Sequence, residues 1–312
     1  MNNAVTKLQR KLSLILWRMY NIRLRHKIRN TWIKPAVPRI STIIFSKDRV
    51  MQLDLLLNSF FATSVGMCEV SVIFFASSDD HREAYEQLKE IYKDRVRFVE
   101  QNQYDGFKEC LLATLRMIIG GKIFFLVDDI VFTEEVNYEK LAEINLSKSI
   151  FSLRMGKNLN YSYVVAKEQN LPKSLTSVNS KFLKWQWSEG ELDWSYPLSV
   201  DGHLFNIKEV LLWAQYLDFK SPSSFEIALQ KLKSIYIKKD GLAYHKSRIV
   251  NIPANKVQTE VDNFHGDAHQ DDLLHKWLGG LRINHDIFMG WDNSSVHEEA
   301  EFSYINRPKL SP

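Results

Sequence analysis

Lys122-Ile123-Phe124-Phe125-Leu126-Val127-Asp128-Asp129-Ile130-Val131-Phe132 is an apolar run broken by two adjacent carboxylates. A continuous apolar run of this kind reads as a central strand buried on both faces. Two ionisable groups at its end are costly unless they are paired, solvated or bound to a cation. In a sheet enzyme, ligands collect beyond the carboxyl ends of the strands. A divalent metal holding a phosphorylated substrate is therefore one reading of Asp128-Asp129, and an acidic turn facing water is the other. The stretch alone does not choose between them.

On its N-terminal side the chain alternates strand and helix. Arg39–Ser46 and Val70–Ala76 are β-branched and apolar, and Val96–Val99 is a shorter run of the same kind. Between and after them, Met51–Thr63 carries Leu53, Leu56, Leu57 and Phe60 at helical spacing, and His81–Tyr92 and Lys108–Ile119 are further helices. Repeated strand-helix units predict an α/β fold with a parallel sheet covered on both faces. No Gly-x-Gly-x-x-Gly or Walker-type loop follows any strand, so dinucleotide-binding and P-loop functions lose their mechanism.

The 312 residues suit one large domain or two small ones, and 45% hydrophobic with 25% charged residues excludes a disordered chain. Cys68 and Cys110 are the only cysteines, too few for a disulfide framework and without metal-ligand spacing, which fits a reducing, cytoplasmic setting. The net charge of +4 hides an asymmetry. Eleven of the 41 Lys and Arg fall in residues 1–47, ahead of the first acidic residue, Asp48, and the remainder is net acidic.

Residues 4–34 interleave those basic residues with Leu8, Leu12, Trp17, Ile22 and Trp32, without a proline or glycine between 4 and 33. The arginines interrupt the segment too often for a bilayer span, and no small-residue cleavage site follows Leu12–Trp17. A helix of this composition lies well on an anionic membrane surface, each basic side chain contributing ~1 kcal/mol. This attachment, peripheral on the inner face of the cell membrane, is the preferred reading of residues 1–35. A helix packed on its own domain is the alternative. A nucleic-acid arm ranks below both, because nothing later resembles a base-reading module.

The second half is less regular. Trp185, Trp187, Trp194 and Tyr196 fall among polar residues, with Asp193 and Asp201-Gly202-His203 just beyond. Aromatic faces beside hydrogen-bonding groups suit sugars, and Trp194 is the candidate acceptor platform. For any one of these tryptophans, however, hydrophobic packing is the commoner role. His265, Asp267, His269, Asp271 and Asp272 read either as a second metal cluster or, preferably, as a loop capping a helix over Leu273–Leu278.

Taken in order, these motifs resemble the nucleotide-diphospho-sugar transferases of the GT-A fold, most closely the inverting family 2 glycosyltransferases. Ser46-Lys47-Asp48-Arg49 follows the first strand, where such enzymes begin their nucleotide pocket. Val127-Asp128-Asp129-Ile130 is similar to the Asp-x-Asp metal motif, without its final acid. Asp201-Gly202-His203-Leu204-Phe205 resembles the glycine loop between donor and acceptor, and Ser224-Phe225-Glu226 the element bearing the catalytic base, again without a second acid. Ser295-Val296-His297-Glu298 resembles the segment whose histidine completes the metal site.

The resemblance implies a GT-A (Rossmann-like) central, mostly parallel sheet over residues 38–312, beside the basic N-terminal helix. Residues 38–135 would form a nucleotide-binding half and 136–312 an acceptor-binding half. It implies Mn²⁺ or Mg²⁺ on Asp129 and His297, a nucleotide-diphosphate sugar (a UDP-sugar first) held by Ser46, Asp48, Arg49 and Asp128, and Glu226 as catalytic base; Asp79, at the end of the second strand, and Lys108, at the start of a helix, read either as further contacts to the nucleobase and the phosphates or as solvated surface residues. Asp201, Gly202, His203 and Trp194 would meet a glycan or lipid-linked acceptor in surface polysaccharide synthesis, with no nucleic acid involved. A nucleotidyltransferase of related fold is the runner-up, although it needs a glycine-rich loop that Ser46–Arg49 lacks. A non-catalytic sugar- or nucleotide-binding protein is third.

Overall fold

The computed structural model describes residues 39–101, 106–178, 180–253 and 270–308, together with Arg23. The basic segment expected over 4–34 therefore lies outside the described residues apart from Arg23, as do His265, Asp267 and His269.

The first half folds as alternating elements: β1 (Ile40–Lys47), α1 (Val50–Thr63), β2 (Cys68–Phe75), α2 (Asp79–Tyr92), β3 (Val96–Glu100), α3 (Phe107–Met117), β4 (Lys122–Val127) and the short β5 (Ile130–Phe132). The second half contributes β6 (Ser149–Ser152), β7 (Thr176–Val178), β8 (Phe182–Gln186), β9 (His203–Asn206), α4 (Ile207–Tyr216), α5 (Pro222–Leu229), β10 (Asp240–Tyr244), β11 (Ile249–Asn251) and α6 (Gln270–Leu278). Nine of these strands make one sheet, in the order β7-β8-β10-β6-β9-β4-β1-β2-β3. The block β4-β1-β2-β3 is parallel throughout, and β9 is inserted antiparallel between β4 and β6. The α/β class and the mostly parallel sheet expected from the repeated units are what the chain forms.

Strand alternation divides the core between the two faces. Ile40 and Ile44 of β1 and Phe124 and Leu126 of β4 pack with α1 and α2, whereas Ile43, Phe45, Ile123 and Phe125 pack with α3, α4 and α5. Both faces are covered, which is why β4 reads as an unbroken apolar run. Helix α1 is itself covered on its outer side by α6 and the strand Leu281–Ile283. Its one acid, Asp54, is fully buried there, where it takes the Arg282 guanidinium at Nε (2.8 Å) and Nη2 (2.6 Å) and the Tyr92 hydroxyl (3.0 Å).

Register sets up everything that follows. Phe45 of β1 pairs with Val127 of β4, so Ser46–Arg49 and Asp128-Asp129 leave the sheet side by side. His203 of β9 pairs with Ser152 of β6, which brings Asp201-Gly202 against Leu153-Arg154. The short strand β11 pairs with β5, Asn251 opposite Ile130, and Asn251 also bridges to His297. Three chain crossings thus converge at one end of the sheet.

Candidate active site

The acidic tip of β4 is fully engaged. Asp128 accepts from the Lys47 backbone N–H at Oδ2 (3.2 Å) and from Arg49 Nη1 at Oδ1 (3.1 Å). The same guanidinium nitrogen reaches Asp129 Oδ2 at 3.4 Å, and the Asn251 amide donates to Asp129 Oδ1 at 3.1 Å. Arg49 is aimed there by Asp48, whose backbone takes a left-handed φ of 55° that aspartate tolerates better than most residues. The Asp48 carboxylate accepts from Ser77 N–H (2.7 Å), and its own N–H donates to the Phe75 carbonyl (3.2 Å), pinning the β1 loop to the end of β2. Ser46 Oγ and the Tyr85 hydroxyl, 2.7 Å apart, close the loop from the α2 side.

Asp128 is only 5% exposed. Burial pushes its carboxyl up to about 6; Arg49 pulls it down and the neighbouring Asp129 charge pushes it up again. One guanidinium thus balances two adjacent carboxylates, and incompletely.

A second group of charges lies beside the first. Arg154, 5% exposed, donates from Nη1 to Ser199 Oγ (2.8 Å) and Asp201 Oδ2 (3.1 Å). Glu226 joins them from α5, whose start is fixed by Pro222 and a capping box: Ser224 N–H donates to Ser221 Oγ (3.1 Å) and Ser221 N–H to Ser224 Oγ (2.9 Å). Burial raises the Glu226 carboxyl to about 8, and the Asp201 charge adds to this. Arg154 and hydrogen bonds with Tyr196 and Ser199 act in the opposite sense. Asp201 is likewise raised by burial and lowered by Arg154, and it feels the charge of Asp129 and a hydrogen bond with Asn251. The two groups therefore form one electrostatic unit.

Two histidines border it, both neutral. Burial, followed by the Arg154 charge, lowers His203 and His297 to about 3. His203 is enclosed, its Nδ1 facing the Pro197 carbonyl at 3.1 Å and its ring packed on Trp187. His297 is held by its neighbours, since Asn251 N–H donates to the Val296 carbonyl and Glu298 N–H to the Asn251 carbonyl, each at 3.0 Å. Its Nδ1 is buried without a hydrogen-bond partner.

The expected site residues divide accordingly. Ser46, Asp48, Arg49, Asp128 and Asp129 come together at the strand tips, and Asp201, Gly202, Glu226 and His297 gather beside them. Gly202 has φ +71° and donates to the Phe125 carbonyl (2.7 Å), a conformation and a closeness that favour glycine. Asp79 instead faces solvent and pairs with Arg82 (3.0 Å), and Lys108 donates to the Leu217 carbonyl (2.7 Å). Neither contacts the acidic unit. Trp194 needs correction as an acceptor platform: it is 0% exposed, its carbonyl takes the Trp185 indole N–H (3.2 Å), and its ring packs edge-on against Trp185. His203, equally enclosed, presents no free face to an acceptor. Asp271 and Asp272 form the first turn of α6, on the far side of α1.

Sequence reasoning missed Arg154, Ser199 and Asn251. Only Arg154 carried a signal, as a single charge in the apolar stretch Phe-Ser-Leu-Arg-Met-Gly.

Among the described residues no group of three or more His, Cys, Asp or Glu is arranged to hold a metal ion. A hard cation bound together with substrate phosphates uses only one or two protein ligands. An unpartnered, neutral imidazole nitrogen linked through Asn251 to the Asp129 carboxylate fits that smaller requirement.

No family model matches the chain. It is 25% identical over 190 residues, 55% of its length, to the bifunctional glycosyltransferase pgtA of Dictyostelium discoideum, and it spans about a quarter of that relative (24%). Among solved structures it is similar to S. aureus TarS 1–349 in complex with UDP-GlcNAc (17% identity, TM-score 0.44, 77% of this chain and 71% of that one). It is also similar to GalNAc-T7 with UDP, GalNAc and Mn²⁺ (10% identity, TM-score 0.44, 78% and 48%). The glycosyltransferase relative and the mixed α/β sheet agree with the GT-A expectation.

Proposed function

We propose that this chain transfers a sugar from a nucleotide-diphosphate donor to a hydroxyl of a glycan or lipid-linked glycan, with inversion. One observation carries the reading: the carboxylate tip of β4 and the Glu226 carboxyl lie on the same end of the sheet, joined through Asp201, Arg154 and Asn251. The sequence relationship to a glycosyltransferase supports it.

In this reading the β1 loop and Asp128 receive the nucleotide, and Arg49 offers positive charge to the diphosphate. Asp129 and His297 would hold Mn²⁺ or Mg²⁺, which when bound supplies Lewis-acid neutralisation of charge on the departing diphosphate. The acceptor oxygen forms its bond to the anomeric carbon as the bond from that carbon to the diphosphate oxygen breaks. The electron pair leaves with the diphosphate, and the hydroxyl proton passes to Glu226. A base with a pKa near the working pH is well suited to this, contributing typically ~10²–10⁴-fold. A single displacement inverts the anomeric centre and needs no enzyme nucleophile. Asp201 and the Gly202 backbone would face the acceptor.

The division into a donor half (38–135) and an acceptor half (136–312) belongs to the same proposal, as does attachment of residues 4–34 to an anionic membrane surface in surface polysaccharide synthesis. Among the described residues no helix is long and apolar enough to cross a membrane.

The test is thermal-shift screening of the full chain against UDP-, GDP-, CDP- and dTDP-sugars with and without Mn²⁺, followed by transfer assays with the best donor. Stabilisation by one nucleotide class, strengthened by Mn²⁺, is expected. No response across the panel would overturn the proposal.

A further inference from the structure

At the end of the sheet opposite the carboxylate tip, three helix-to-strand turns lie beside the point where the chain enters β1. Residues 64–67 join α1 to β2, residues 93–95 join α2 to β3, and residues 118–121 join α3 to β4. Register sets them in a row. Ile40 of β1 pairs with Cys68 of β2 on one side and with Lys122 of β4 on the other, so Arg39 stands between Met67 and Gly121. The Gly121 N–H donates to the Arg39 carbonyl at 3.2 Å, which holds the third turn against the chain entry.

These turns carry large apolar side chains into solvent. Met67 and Ile119 are each 71% exposed, and Met117 and Val65 are exposed beside them. Exposed apolar residues scattered singly are ordinary, whereas a patch of them rimmed by polar groups marks an interaction surface. The row of turns spreads these four over two strand spacings, roughly 10 Å. Basic side chains rim them: Arg95, Arg97 and Arg116 are exposed, with the Arg95 guanidinium 3.6 Å from the centroid of the Phe61 ring. Glu69 is paired with Arg39 (3.8 Å) and Glu90 with Lys93. Asp94, and Glu139 packed beside Gly66, are the acids set against the three arginines.

We propose that this end of the domain rests on an anionic lipid surface, with Met67, Met117 and Ile119 entering the headgroup layer beside the anchoring segment 4–34, so that the transfer site faces away from the bilayer. That segment holds nine Lys and Arg and no acid, and it joins the domain at Arg39, in the middle of the patch. As a covering for these turns it would be repelled by Arg95, Arg97 and Arg116. An anionic membrane attracts both the segment and the arginines, and it accepts the apolar side chains as well. Strands β1 and β4, eight and six residues long, then run away from the bilayer and carry the carboxylate tip a strand length from it, roughly 20–25 Å. A site at that height suits the outer end of an extended glycan better than a sugar attached directly to a lipid phosphate, which narrows the acceptor class. This placement rests on the membrane attachment of residues 4–34 in the reading above, not on the chemistry of transfer.

The experiment is sedimentation of the full chain with vesicles of phosphatidylcholine containing phosphatidylglycerol. M67Q/I119Q exchanges the two most exposed apolar side chains of the patch for neutral polar ones. V164Q/V165Q makes the matching change between Tyr161–Ser162 and Lys167–Glu168, a loop tied to the His297 segment at the catalytic end by the Tyr163 N–H, which donates to Ser295 Oγ at 3.1 Å. M67Q/I119Q should lower the partition coefficient about tenfold or more, and V164Q/V165Q should leave it unchanged. Circular dichroism checks each fold, and I119Q alone should still lower binding several-fold if the pair does not fold. Full binding by M67Q/I119Q, the result expected if residues 4–34 themselves cover these turns, overturns the proposal. A loss confined to V164Q/V165Q overturns it too, because the catalytic end would then face the bilayer. A wild-type chain that ignores the vesicles removes the anchoring reading and this placement together, whereas normal wild-type binding with M67Q/I119Q unchanged removes the placement alone. Thermal shifts with nucleotide sugars should be the same in all these variants, so the transferase reading stands or falls separately.

Discussion

Replacing Arg49 by Met removes the only positive charge among the described residues that is in contact with both Asp128 and Asp129. With Arg49 present, the Asp128 carboxyl already stands at about 6 instead of 3.8, roughly 3 kcal/mol of opposition to its ionised form. Breaking a buried ion pair from one side costs about 3–5 kcal/mol, because the remaining charge is stranded. The sign with pH follows from the raised carboxyl. Well below its ordinary value of 3.8, Asp128 is protonated in both folded and unfolded chains, and its burial costs little. As pH rises from about 4 to 6, the unfolded chain ionises freely and the folded chain does not, so stability is lost, and without Arg49 the folded carboxyl stands higher still and the loss continues beyond 6. R49M should therefore lose the full ~3–5 kcal/mol at pH 8 and roughly half of it at pH 5, where Asp128 holds its proton and only Asp129 is stranded. Urea denaturation followed by tryptophan fluorescence measures both values. If the tip also accepts a divalent cation, Mn²⁺ at a hundred times its dissociation constant should restore about 2.7 kcal/mol to R49M at pH 8. Equal losses at the two pH values would refute the assignment of Arg49 as counter-ion, and indifference of R49M to Mn²⁺ would refute the cation site.

Glu226→Gln should leave nucleotide binding unchanged while lowering transfer by ~10²–10⁴-fold, measured by calorimetry and product formation respectively. In the wild-type chain, a base titrating at about 8 is ionised in roughly one molecule in ten at pH 7, so transfer should climb nearly tenfold by pH 9; a flat profile would remove Glu226 as base. Gly202→Ala forces a side chain into a left-handed φ and against Ile249 and Leu153, and should cost about 1–3 kcal/mol by thermal unfolding. Asp54→Ala strands the Arg282 guanidinium under α1 and should cost about 3–5 kcal/mol without altering nucleotide affinity. A chain lacking residues 1–34 should keep its fold and lose sedimentation with anionic vesicles, and retained binding would locate membrane affinity elsewhere.

The parts of this molecule that could be read in advance share one physical property: their cost is local. Strand β4 is apolar on both faces because both faces are covered, so its burial is written into the five consecutive residues Ile123–Val127. Asp128 and Asp129 stand out because ionisable groups at the end of such a strand must be compensated. The same logic applies to Arg154 between Leu153 and Met155. A lone arginine, however, can usually carry its head group out to water along its own stem, and only Ser199 and Asp201, more than forty residues on, reveal that this one stays inside. Asn251 gives no warning at all, since an amide carries no charge to betray its place beside Asp129. Trp194 fails for the opposite reason. Tryptophans among polar residues describe a sugar-binding face and a buried cluster equally well, and here three indoles fill a pocket of the core, with Gly241 bare to admit the Trp185 ring. What the sequence leaves implicit is thus the compensation rather than the cost. Asp128 announces that a positive charge must come, but that Arg49 supplies it follows from the pairing of Phe45 with Val127. Arg154 needs an anion, and that Asp201 supplies it follows from the insertion of β9 between β4 and β6. The partner that each buried charge finds is therefore a property of sheet register.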